Sequence, residues 1–138
     1  MRRILIILIV AAVFAIGAWA YWYRTGSRLL VPSGTAVSAT VFISDQPLAT
    51  ITNVTGLEAV TTMLRAGRPL RLLHSCAARG HLETRFADGQ TLSTAFGPGH
   101  EPSRYEFGMD GHIFTIARSR FLGALQAGDV DVQKLPTE

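Results

Sequence analysis

The sequence predicts an α+β protein. It reads as an N-terminal transmembrane helix, then a small hairpin-rich antiparallel sheet of about five to seven strands with two short helices. Three observations carry that prediction. An uncharged apolar run extends from Ile4 to Tyr23. Two Asp-Gly pairs, Asp88-Gly89 and Asp110-Gly111, each sit between stretches of alternating apolar residues, the pattern of β-hairpins. Two segments carry apolar residues at helical spacing between recognisable start and stop signals.

The apolar run sets the expected organisation. About 20 residues rising about 1.5 Å each match a hydrocarbon core about 30 Å thick. Residues 1–24 are therefore expected to form a signal-anchor, 25–34 a linker, and 35–138 an extracytoplasmic domain. Trp19, Tyr21, Trp22, Tyr23 and Arg24 close the run, and such amphipathic side chains prefer the headgroup level, so they are the expected anchoring residues. The competing reading is a cleaved signal peptide, with Met1-Arg2-Arg3 as its basic start and Ala18-Trp19-Ala20 as its cleavage site. Ala11, Ala15 and Ala18 let the helix pack closely against another.

Charge excludes one class of partner. The chain carries 13 Lys and Arg against 10 Asp and Glu, and Arg2 and Arg3 belong to the apolar segment. The remaining 11 basic residues leave a balance of +1, too small for a nucleic-acid footprint. The single cysteine, Cys76, forms no internal disulfide.

Along the domain, Val37, Ala39, Val41 and Ile43 share one face of a strand over Thr35 to Ser44. Asp45-Gln46-Pro47 turns the chain into a short return strand from Leu48 to Thr52. Thr55 and Glu58 form a capping box, and Leu57, Val60 and Leu64 give the helix that follows its apolar stripe. Gly67 fits a left-handed position past its end. Leu70, Leu72, His74 and Cys76 then alternate as a strand, facing the core.

Register separates the two hairpins. In the first, only a three-residue loop, Ala87-Asp88-Gly89, places Thr84 opposite Leu92 and keeps both apolar sets on one face, with a bulge at Gly89. In the second, a two-residue Asp110-Gly111 turn pairs Phe107 with Phe114 and Tyr105 with Ile116. Ser119 is the expected cap of a last helix bearing Phe121, Leu122 and Leu125, closed by Gly128. Val130 to Glu138 is left as an edge strand or a frayed tail.

His74 and Cys76 are two residues apart, on one strand face, and together suit a soft metal or a nucleophilic dyad. Their neighbours Leu70 and Leu72 make burial the simpler reading. His81, His100, Met109 and His112 have copper-ligand chemistry but no ordered spacing. Arg65, Arg68, Arg71 and Arg79 lie in a stretch without an acid, a surface that complements a helix C-terminus or meets an anion.

No nucleophile–base order and no phosphate loop stand out. The sequence thus predicts a chain that is not an enzyme, with no catalytic residue, no cofactor and no metal beyond the weaker candidates His74 and Cys76. The expected role is a single-pass, membrane-anchored accessory or binding subunit, in contact with the lipid bilayer and with protein partners in a membrane complex, and not with nucleic acid. Its expected location is the bacterial inner membrane, with the N-terminus cytoplasmic and the domain periplasmic. The alternatives are a periplasmic metal or redox handler using Cys76 and histidines, or a small exported enzyme inhibitor.

Overall fold

The computed structural model describes residues 2–70, 78–109 and 112–135, with side chains described for 6–21, 31–70, 78–109 and 112–135. Helix α1 is Arg2–Leu30. Strands β1 (Ala36–Ile43) and β2 (Gln46–Ile51) follow, then α2 (Val54–Arg65) and the short β3 (Arg68–Pro69). Strands β4 (Gly80–Phe86), β5 (Thr91–Pro98), β6 (Arg104–Met109) and β7 (His112–Ala117) run on to α3 (Arg118–Ala127). The strands form a seven-stranded antiparallel sheet in the order β2-β1-β4-β5-β6-β7-β3. The predicted α+β class is the observed one.

The membrane span is corrected. Among the described residues no helix is long and apolar enough to cross a membrane. The part of α1 with described side chains is 6–21. The single-pass anchor and the inner-membrane location built on it are withdrawn. Trp19 and Tyr21 are 63% and 72% exposed, and Ala11, Ala15 and Ala18 are also exposed. The side chains of Trp22, Tyr23 and Arg24 lie outside those described.

Both hairpin registers follow the apolar faces. Thr84 lies opposite Leu92. Phe86 N–H donates to the Gln90 carbonyl at 2.9 Å, and Gly89 takes a positive φ of 86° that favours glycine. Phe107 lies opposite Phe114 and Tyr105 opposite Ile116, with Met109 opposite His112; Asp110-Gly111 itself falls outside the described residues. The β1–β2 turn sits one residue earlier than expected, on Ser44 and Asp45, whose φ values of 48° and 60° are both positive. Positive φ at both central positions is the primed turn that matches strand twist.

Val37 is the exception to the alternation read for β1. It is 50% exposed, while Ala36, Ala39 and Val41 are buried. A register shift between Ala36 and Ser38 adds a residue to β1 against β4, and such a bulge reverses which side chains face inward.

The α2 cap is also corrected. Asn53, not Thr55, occupies the cap, its Oδ1 accepting from Gly56 N–H at 2.6 Å. An Asn side chain satisfies one of the first unpaired helix donors there, so the helix starts two residues before the box. Gly67 does not take a positive φ. A Cβ there would come within 2.3 Å of the Phe114 ring, so its glycine serves close approach. For α3, Ala117 and not Ser119 precedes the first turn, and no side chain caps it. The tail forms a short 3-10 turn at Val132–Lys134, and Val130 and Leu135 are buried.

The core lies on the sheet face covered by α2 and α3. Its centre is aromatic: Phe107 stacks on Phe114 with centroids 5.5 Å apart, and Phe121 of α3 meets Phe96 at 5.1 Å and Tyr105 at 4.6 Å. Val60, Met63 and Leu64 of α2 join the same cluster. The two helices approach closely, since a Cβ on Gly56 would come within 2.5 Å of the Gly128 Cα. The strand read from Leu70 to Cys76, with Cys76 and His74, falls outside the described residues apart from Leu70. Leu70 N–H extends the β3 pairing by donating to the Ile113 carbonyl at 2.8 Å.

Two stability outcomes follow from this packing. Phe107→Ala and Phe114→Ala each lower the unfolding free energy by about 3–5 kcal/mol, measured by urea titration. A small effect at both positions excludes the inward register. Asn53→Ala lowers it by about 1 kcal/mol, and Thr55→Ala by clearly less; the reverse ranking restores Thr55 as the cap.

Candidate active site

Strand alternation decides which β6 side chains leave the core. Tyr105, Phe107 and Met109 are committed to the aromatic cluster, so Arg104 and Glu106 point to the other face of the sheet. There Glu106 lies between Gly97 of β5 and Thr115 of β7. Gly97 offers no side chain, which leaves the position above that pair to the β5–β6 connection.

That connection folds back over the sheet. Gly99 N–H donates to the Arg104 carbonyl at 3.0 Å, and Arg104 N–H donates to the Glu101 carbonyl at 2.9 Å. A Cβ on Gly99 would meet the Arg104 carbonyl oxygen at 2.9 Å, so the residue's small size permits the closure. The next residue, His100, is thereby set on Glu106. Its backbone N–H reaches Glu106 Oε1 at 3.1 Å, and its ring Nδ1 lies 2.9 Å from the same oxygen.

Burial gives this pair its electrostatic character. The Glu106 side chain is 4% exposed, whereas that of His100 is 71% exposed. A buried carboxylate is costly unless hydrogen-bonded, and the loop supplies two donors to one oxygen. A carboxylate only accepts, so Nδ1 is the donor and carries the imidazole proton. Nε2 lies at the far side of this solvent-facing imidazole.

A cavity of about 120 Å³ opens beside the dyad, lined by Leu70, His100, Glu101, Arg104, Glu106 and Thr115. Arg104 is held across it: Nε and Nη2 both donate to Thr115 Oγ1, at 3.0 and 2.7 Å. The cavity thus holds an imidazole oriented by a buried carboxylate and a guanidinium held by a hydroxyl. A larger groove of about 390 Å³ runs between α2 and the start of β1. Its guanidinium, Arg65, is engaged with the Pro32 carbonyl at 2.8 Å, and among the described residues no hydrogen bond or ion pair joins its two titratable side chains, Glu58 and Arg65. The smaller cavity is therefore the better chemical site.

The sequence candidates are scattered. His81 stacks on Phe42 across β1 and β4, with centroids 4.3 Å apart. His112 is exposed at the start of β7, and Met109 opposite it is buried. Among the described residues no group of three or more His, Cys, Asp or Glu is placed to hold a metal. His74, Cys76 and Arg71 lie outside the described residues, and Arg65, Arg68 and Arg79 are exposed. Sequence reasoning placed His100 in a loop and missed its partner. The signal available was the alternation of β6, which sets Glu106 opposite the face of Phe107, and the glycines on either side of Pro98.

No protein-family model and no curated protein matches the chain. One similar solved structure is a thioesterase-like protein from Clostridium sporogenes. It has a TM-score of 0.46 and 8% identity, and the match covers 67% of this chain and 93% of that one. At that distance the likeness carries no argument about chemistry. The reading of a non-catalytic, membrane-anchored accessory subunit is withdrawn, and so is the reading that the chain is not an enzyme. Sequence inspection did not pair His100 with Glu106, which the structure brings to 2.9 Å.

Proposed function

We propose that the chain is a hydrolase in which His100 acts as a general base on water and Glu106 is its positioning residue. The observation that supports this reading is the 2.9 Å contact between a buried carboxylate and Nδ1 of a solvent-facing histidine, at the wall of a cavity. In this reading Nδ1 keeps its proton on Glu106 while Nε2 takes one from water. The hydroxide so formed attacks a carbonyl carbon, the bond to the leaving group breaks, and the imidazolium returns its proton to that group. One histidine serves both transfers, as acid–base catalysis requires.

The chemistry favours small esters and thioesters over amides. A thiol near its ordinary pKa of about 8.5 departs as thiolate with little assistance, whereas an amine must be protonated first. A site with one imidazole suits the easier departures. A cavity of about 120 Å³ holds a short acyl group, with the leaving group outside.

The test is turnover of 4-nitrophenyl acetate and of an acetylated small thiol by purified protein. His100→Ala lowers kcat/KM on the order of 10²–10⁴-fold for both. Glu106→Gln lowers kcat with KM little changed and shifts the imidazole ¹⁵N resonances of His100 away from the Nδ1–H tautomer. No turnover by the unaltered protein, or equal turnover by His100→Ala, overturns the reading. A Glu106→Gln protein with lowered melting temperature and full kcat makes the pair a loop clamp instead.

A further inference from the structure

We propose that Arg104 is the specificity residue of this site and selects substrates whose acyl part carries a small anionic group, a carboxylate above all. The inference rests on the hydrolase reading and adds a substrate class to it. Its basis is how the guanidinium is held. Two of its nitrogens converge on one hydroxyl, Thr115 Oγ1, at 3.0 and 2.7 Å. A neutral acceptor fixes the plane of the fork without neutralising it.

Two carboxylates line the same cavity, and neither takes the charge. Glu106 Oε1 accepts from both the backbone and the ring of His100. Among the described residues, the ion pairs are those of Arg85 with Glu83, His100 with Glu106 and Lys134 with Asp131; neither Glu101 nor Glu106 pairs with Arg104. Arg104 thus keeps its Nη1 donors in a half-buried setting, where a guanidinium recognises a carboxylate strongly. Arg68 adds a second cation at the rim. It lies in register with Thr115, on the next strand, and its side chain is exposed. The volume of about 120 Å³ suits a carboxylate joined to the reacting carbonyl by a short linker.

The experiment compares a matched pair of esters, 4-nitrophenyl hydrogen succinate and 4-nitrophenyl butyrate, with succinate binding measured by calorimetry. The unaltered protein favours the anionic ester in kcat/KM by roughly 10-fold to 100-fold, the range expected for a hydrogen bond between charged groups. In Arg104→Gln that ratio falls to near unity, and succinate binding weakens by a similar factor. Arg104→Lys, which keeps the charge and loses the fork, lies between them and guards against misfolding of the Gln variant. Ester turnover without charge preference, or with a preference that survives Arg104→Gln, overturns the inference and leaves the dyad standing. Succinate binding that depends on Arg104, without turnover of either ester, overturns the hydrolase reading and supports the anion site. Absence of succinate binding overturns the inference.

Discussion

Phe107 and Phe114 face each other across β6 and β7 at the centre of the core. Much of the described domain depends on that pairing. Burying two aromatic rings on one face commits every second residue of both strands to the same side. Tyr105 and Ile116 are drawn inward with them, and Phe121 of α3 closes over the cluster. The same commitment sends Arg104, Glu106 and Thr115 to the opposite face. A slip of one residue would exchange the two sets, placing a carboxylate and a guanidinium in the core and the phenyl rings in water. The site is thus the reverse side of the hydrophobic core, and the energy that holds the core also sets the geometry of the dyad.

The face away from the helices is where a small sheet domain can afford polar chemistry. A charge on the inner face would have to be paired among aromatic rings. On the outer face one short loop is enough. Gly99 and the two backbone bonds that close the loop place His100 over Glu106, so the carboxylate is dry on its own side while the imidazole meets solvent. That asymmetry separates the pair from a surface ion pair, in which both partners are wet and weakly coupled. Thr115 completes the arrangement by orienting Arg104 through a hydroxyl, without cancelling its charge.

Glycine at close approaches makes the assembly possible. Gly67 admits the Phe114 ring beside the end of α2, and Gly56 admits α3. Gly80 lets β4 pass under the Phe96 ring, where a Cβ would come within 2.7 Å of it. In a sequence such residues look like turn signals, as Gly67 did. Their role is visible only when the element that presses on them, often distant in the chain, is in place.

Local pattern alone determined the α+β class, both hairpin registers and the aromatic pair, because period-two alternation and turn length are properties of neighbouring residues. The helix stripe on Leu57, Val60 and Leu64 was readable for the same reason. Composition also suggested a membrane span, but among the described residues no helix is long and apolar enough to cross a membrane. Tertiary structure decided the rest. The bulge that exposes Val37 depends on how β1 meets β4, and the choice of Asn53 over Thr55 depends on where α2 starts against the sheet. The site belongs to this second group. His100 and Glu106 are six residues apart, on a loop and on a strand, a spacing with no periodic meaning. Only the fold-back of the β5–β6 loop, allowed by the glycines beside Pro98 and driven by the need of a buried carboxylate for donors, brings them together.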